Sequence, residues 1–192
     1  MRIAIIGTGN VGSAIARGLK GKGHAVILGA RNPEAAEVAA LASETGATAA
    51  RPAEAAVKAL GPLDGKTVID CMNPLGMVGG ALALTLGHDT SGGELVAGWL
   101  PGAHVVKTLN QVGAEIMQRN DHLPHRPVMF MAGNDTTAKA QVARLLSDLG
   151  FEALDAGDIT KSRLLEPFGM VWINQALFRG KGRQWAFAAV GG

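Results

Sequence analysis

Residues 3–19 read IAIIGTGNVGSAIARGL. Ile3-Ala4-Ile5-Ile6 is an unbroken apolar run rich in β-branched residues, the pattern of a parallel strand buried on both faces. Gly7-Thr8-Gly9-Asn10-Val11-Gly12 follows at once and is a GxGxxG loop. Val11 to Lys20 then carries Val11, Ile15 and Leu19 on one face, so the loop opens a helix. In that setting each glycine has a physical reason. Gly7 permits a tight turn, Gly9 lets the backbone approach a pyrophosphate, and Gly12 lets helix and strand pack closely. The first amides of the helix are then free to meet the anion. A glycine turn that merely joins strand to helix is the bland alternative, and the complete strand–loop–helix–strand order argues against it.

Working outward, Gly21 and Gly23 stop the helix and Ala25–Leu28 gives a second strand. An NAD site usually has Asp or Glu about 20 residues past the glycines, holding the ribose 2′-hydroxyl. Here the strand runs into Leu28-Gly29-Ala30-Arg31-Asn32, with Arg31 at the place of the acid. Its planar, permanently charged fork suits a 2′-phosphate, so the spacing predicts NADP(H) rather than NAD. Asn32-Pro33 is predicted to cap and start the next helix, which ends near Gly46.

A short strand at 47–50 and a helix across Pro52–Leu60 follow, then a clear strand at Lys66–Cys71. Ser91-Gly92-Gly93-Glu94 has capping-box spacing before a short helix. His104–Leu109 and Val128–Ala132 read as strands, and Asn134 as the cap of a helix running to Leu149. Phe151–Leu154 is the last strand. Asp158–Phe178 is a long C-terminal helix with a bend expected at Pro167. The alternation predicts an α/β fold, a Rossmann-type doubly wound and mostly parallel sheet, with an antiparallel strand near an edge. Residues 1–192 are read as one domain that includes the C-terminal helix and tail.

Composition excludes several classes. Hydrophobic residues make up 47% and charged residues 18%, a globular balance. A net charge of +2 with no basic run argues against nucleic acid and against an acidic membrane surface. No stretch of about 18 apolar residues is long enough to span a membrane. The run at Met1–Ile6 stops at Gly7, short of the roughly 7–15 residues of a signal-peptide core. A single cysteine, Cys71, allows no internal disulfide and suits a reducing cytoplasm. His122 and His125 stand three apart in a polar loop with no further ligand cluster, so no metal site is expected.

The stretches 6–19, LGARNPE (28–34), Lys66 to Pro74, His104 to Asn110 and LDAGDITKSRLLEPFGMVWINQAL (154–177) resemble the coenzyme F420-dependent NADP oxidoreductases. The resemblance extends over nearly the whole chain. It implies NADP(H) at Gly7, Thr8, Gly9, Asn10, Val11 and Gly12, with Thr8 and Arg31 near the adenosine 2′-phosphate and Asn32 among the cofactor-binding residues. It also implies direct hydride transfer to coenzyme F420, a deazaflavin, or to a flavin-like small-molecule electron acceptor. Cys71, Met72, Asn73 and Pro74, with Lys107–Asn110, would stand near the nicotinamide. Members of that family usually have a further strand and helix before the segment matching Lys66–Cys71. Here only Arg51–Gly65 is available, room for one helix and a turn.

Hydride transfer between two cofactors needs orientation more than an acid–base pair. Asn73, Lys107 and Asn110 are the candidate catalytic residues, and Lys107 and Asn110 can equally be ordinary residues of a strand end. The broad face of the last helix formed by Leu164, Leu165, Phe168, Val171, Trp172, Gln175 and Phe178 predicts either packing on its own sheet or a homodimer contact. The glycine-rich tail with Trp185 and Phe187 is read as folding over the cofactor mouth or as frayed. Two other functions are consistent with the N-terminal pattern: a non-catalytic NADPH-binding sensor and an imine reductase of the pyrroline-5-carboxylate type. The imine reductases need a separate helical domain, for which one long helix does not suffice.

Overall fold

The computed structural model describes residues 1–51 and 61–191, so the helix expected across Pro52–Leu60 lies outside the described residues. The chain divides into two compact units, Met1–Pro62 with Met117–Arg119, and Leu63–Ile116 with Asn120–Gly192. The first unit is built as β1 (Arg2–Ile6), α1 (Asn10–Gly18), β2 (Ala25–Gly29), α2 (Ala36–Thr45) and β3 (Thr48–Ala50). Its strands pair in parallel in the order β1-β2-β3, with Ile5 opposite Leu28 and Ile27 opposite Thr48. Ala14, Ile15, Ala16 and Leu19 are buried along α1, and Leu28, Val38 and Leu41 belong to the same apolar set.

Two expectations for this unit need correction. Ile5 is buried but Ile6 is 59% exposed, so β1 is not covered on both faces to its end. Asn32 does not cap α2. Its side-chain oxygen accepts from Glu34 N at 3.3 Å and its carbonyl from Ala35 N at 3.3 Å. Asparagine bonding its own backbone two residues on makes a turn, and this one delays the helix to Ala36.

The second unit centres on a four-stranded sheet, in the order β4 (Thr67–Asp70), β7 (His104–Lys107), β8 (Val128–Gly133), β9 (Glu152–Gly157). The β4–β7 and β8–β9 pairs are parallel, and β7–β8 is antiparallel. The antiparallel step expected near an edge therefore falls mid-sheet. The helices that follow along the chain are α3 (Gly92–Trp99), α4 (Ala114–Gln118), which runs across the boundary between the two units, α5 (Thr136–Asp148) and α6 (Ser162–Ile173). Val96, Val105 and Ile159 form one core cluster, with Val68, Ala97 and Leu100 packed against it. Ser91 caps α3 as its spacing predicts, accepting from Glu94 N at 3.2 Å. The cap of α5 is Asp135, not Asn134: Asp135 accepts from Ala138 N, while the Asn134 side chain accepts from Ile159 N.

A hairpin of β5 (Leu75–Val78) and β6 (Ala81–Leu84) was not foreseen from the sequence. Gly79 and Gly80 both have positive φ, 57° and 82°, which a tight two-residue hairpin turn requires. The last helix contains Pro167 and runs on through a wider turn over Asn174–Phe178. The tail is docked. Trp172 Nε1 donates to Trp185 O at 2.9 Å, and Val128 N donates to Phe187 O at 2.9 Å. Trp185 stacks on Trp172 and Phe187 lies 4.4 Å from Phe168. The Trp172 face of α6 is thus covered by the chain itself, and Trp172 is only 3% exposed. No helix among the described residues is long and apolar enough to cross a membrane.

Candidate functional site

In the first unit the loop between β1 and α1 takes the shape its glycines imply. Gly7 N donates to Gly29 O at 2.8 Å, tying the turn to the end of β2, and Ser13 Oγ donates to Thr8 O at 2.9 Å. Gly9 is the extended residue before α1, and no side chain caps the helix. The first turn holds no acid. Its leading amides therefore have no partner within the helix and suit an anion. A Cβ on Gly9 would meet nothing, whereas one on Gly12 would collide with Gly7 O and sit 3.1 Å from Ile5 Cγ2. Gly9 lines open space and Gly12 serves close packing, the division of labour predicted for a phosphate loop. Thr8 and Val11 are half-buried and Asn10 is exposed. At the end of β2, Leu28, Gly29 and Ala30 are buried, and the chain emerges at exposed Arg31 and Asn32.

In the second unit the C-terminal ends of β4 and β7 lie side by side, Asp70 in register with Lys107. Lys107 is fully buried. Its ammonium donates to Asp70 Oδ2 at 2.9 Å and to Met72 O, and faces Glu166 Oε1 at 2.8 Å. Three donors thus meet three acceptors. Asp70 also accepts from Met72 N at 3.0 Å. Asn110 Nδ2 donates to Asn73 Oδ1 and to Leu165 O, both at 2.9 Å, and Asn73 Nδ2 donates to Asn110 O at 2.8 Å. Gln111 donates to Phe130 O and accepts from Phe130 N, pinning the loop to β8. Between these braces Leu109 has φ 56°, a left-handed conformation that costs a bulky residue on the order of 1–3 kcal/mol. A loop held in strain by bonds on both sides is a preorganised one.

The structure thus brings Asn73, Lys107 and Asn110 into one polar cluster with Met72 at its edge; the side-chain donors of Lys107 and Asn110 are spent within the chain, while Asn73 spends one of its two amide N–H groups on Asn110 O. Cys71 is half-buried; burial pushes its thiol pKa up and the Asp70 carboxylate adds to that, so it is no thiolate nucleophile. Met72 is exposed and Pro74 half-buried. Sequence reasoning missed Asp70, Gln111, Gly169 and Glu166. Glu166 had a signal: Ser162, Leu165, Glu166, Gly169 and Trp172 fall at helical spacing and are all buried, so a carboxylate sits on an inward face. Gly169 is needed there because a Cβ would lie 2.6 Å from Asn110 O.

A family model, NADP oxidoreductase coenzyme F420-dependent, matches residues 2–74, from β1 to the end of the Cys71–Pro74 loop. A crystal structure from Arthrobacter sp. FB24, provisionally described as an F420-dependent NADP reductase, is 32% identical. The match covers 100% of both chains with a TM-score of 0.85. The metalloreductase STEAP3 of Rattus norvegicus is 27% identical over 180 residues, 86% of this chain but 36% of that protein. The chain thus spans about a third of the length of that relative. An imine reductase from Aspergillus terreus shares the fold, at 20% identity and a TM-score of 0.61 over 92% of this chain and 62% of the other.

Proposed function

The chain belongs to the coenzyme F420-dependent NADP oxidoreductase family, and from that premise we propose that it binds NADP(H) and transfers hydride between the nicotinamide and a deazaflavin or flavin-like acceptor. The observation that carries the reading is the uncapped α1 N-terminus behind an open Gly9, followed by exposed Arg31 where an NAD site would hold an acid. Gly7–Gly12 hold the pyrophosphate, and Arg31 and Asn32 the 2′-phosphate. The bound nicotinamide supplies the hydride. The loops Cys71–Pro74 and Lys107–Asn110 orient the ring, with Lys107 and Asn110 acting through the backbone they fix, since their own donors are spent, and Asn73 keeping one amide N–H for the ring.

A second reading, a non-catalytic NADPH-binding sensor, is favoured by one observation: Lys107 and Asn110 have no side-chain donor left for a substrate. Stopped-flow oxidation of NADPH against coenzyme F420, FMN, FAD and ferric chelates separates the two. Turnover with one acceptor is expected, and none with any acceptor would leave the sensor. We place the protein in the cytoplasm as a homodimer. The Phe168–Trp172 face no longer motivates the dimer, being covered by the tail. The exposed members of the same stripe, Leu164 and Val171 on α6 and Phe178 in the wider turn after it, carry the dimer instead. A stable monomer in sedimentation at high concentration would remove the dimer.

A further inference from the structure

We infer that Glu166 is a positioning residue for hydride transfer, fixing the two strand-end loops; the inference rests on the proposed placement of the nicotinamide beside them. Glu166 is 1% exposed. Its Oε1 faces Lys107 Nζ at 2.8 Å and accepts from Gly93 N at 3.1 Å, and its Oε2 accepts from Gly92 N at 3.1 Å. One carboxylate thereby joins α6, the end of β7 and the start of α3. Lys107 passes the constraint to the β4 side through Asp70 and Met72 O. Across Gly92, a Cβ would lie 3.0 Å from Glu166 Oε1 and 3.6 Å from Pro74 Cδ, so carboxylate and proline ring share the space that this glycine leaves. The Cys71–Pro74 loop is gripped at Met72 and flanked at Pro74. From the same stretch of helix, Leu165 O takes a hydrogen bond from Asn110, and Gly169 lies against Asn110 O and the Asn73 amide.

Everything facing Glu166 is an N–H donor, which only an acceptor-only group satisfies fully. Glutamine would turn its amide donor against one of them. Aspartate keeps the charge but is one methylene short of reaching both Lys107 and the α3 amides. Because ring orientation depends on loops more than on free side chains, a small shift at Glu166 reduces transfer more than binding. The phosphate loop, which carries the affinity, lies in the other unit.

The test is single-turnover stopped-flow oxidation of NADPH by the acceptor the wild type uses. Calorimetric NADPH binding and the fluorescence of bound NADPH accompany it, in Glu166→Gln and Glu166→Asp. We expect the rate constant to fall tenfold or more in Glu166→Gln with partial recovery in Glu166→Asp. Kd stays within twofold, and the bound-NADPH fluorescence moves away from wild type. A role in stability alone would lower the amplitude, the fraction of chains that bind, at an unchanged rate constant, and would overturn the inference. If Glu166→Gln does not fold, Glu166→Asp decides by the same criteria. An active wild type with unaffected variants overturns the role of Glu166 alone. A wild type inactive with every acceptor overturns the hydride-transfer reading and this inference with it.

Discussion

The N-termini of α1 and α3 both lie among glycines, Gly7–Gly12 at one and Gly92–Gly93 at the other, and they are finished differently. At α3 the chain supplies its own acceptors and anions: the Ser91 hydroxyl accepts from Glu94 N, the Glu166 carboxylate accepts from the amides of Gly92 and Gly93, and Glu94 stands in the first turn. At α1 there is no side-chain cap and no acid, and the glycine before it borders open space. The same partial positive charge is used as a structural joint in one unit and left uncapped in the other, where the proposed pyrophosphate site draws on it. A filled helix start therefore reads as architecture, and an unfilled one beside an arginine reads as a site.

The comparison can be broken most forcefully at Lys107. Lys107→Met should cost about 3–5 kcal/mol in chemical denaturation, because Asp70 and Glu166 would be left buried without their cation. A loss below about 1 kcal/mol would mean that the α3 amides alone suffice. Next comes a glycine pair in the first unit. Gly12→Val should destabilise by about 1–3 kcal/mol or more, since its Cβ meets Gly7 O. Gly9→Val should fold normally by circular dichroism and lose NADPH binding in calorimetry. Binding retained by Gly9→Val would show that the loop is not the phosphate site. Arg31→Ala should weaken NADPH about tenfold, roughly 1.4 kcal/mol, and leave NADH nearly unchanged. An equal loss for both would sink the 2′-phosphate assignment.

The smallest effect belongs to the tail. The hydrogen bond from Arg183, at 2.7 Å, holds the Glu115 carboxyl below the usual glutamate range. A depressed native pKa stabilises above the unfolded value and loses that contribution as pH falls through the native one. Both partners are about two-fifths exposed, so solvent screens the pair. Acid titration of tryptophan fluorescence should show the tail loosening below the ordinary glutamate range, and Arg183→Ala should flatten that transition. An unchanged profile in the variant would separate the tail from this ion pair.

Much of this was legible because it is local. The β1–α1–β2 order follows from an apolar run, a glycine spacing and a helical period, and the Ser91 cap follows from four adjacent residues. The two asparagine caps failed for a local reason too: Asn32 found its own backbone first, and Asp135 stood one position nearer its helix. The β5–β6 hairpin carried a Gly79-Gly80 turn signal, but its four-residue strands do not alternate cleanly, so the period was missing. The positions of Asn73, Lys107 and Asn110 at strand ends were readable. That the donors of Lys107 and Asn110 are spent was not, because their partners come from other strands and loops and from α6. Glu166 was hidden by the same cause, a charged residue being read as solvated until its distant amides are seen.

The docked tail has a consequence for synthesis. Val128, at the start of β8, is completed by the carbonyl of Phe187, and Phe168 and Trp172 are covered by Phe187 and Trp185. A ribosome adding about 5–20 residues per second exposes β8 and then α6 for seconds before their cover is made. During that interval the aromatic face of the helix and the first amide of the strand lack their native partners. Until residues 185–187 are made, the second unit lacks this part of its native cover.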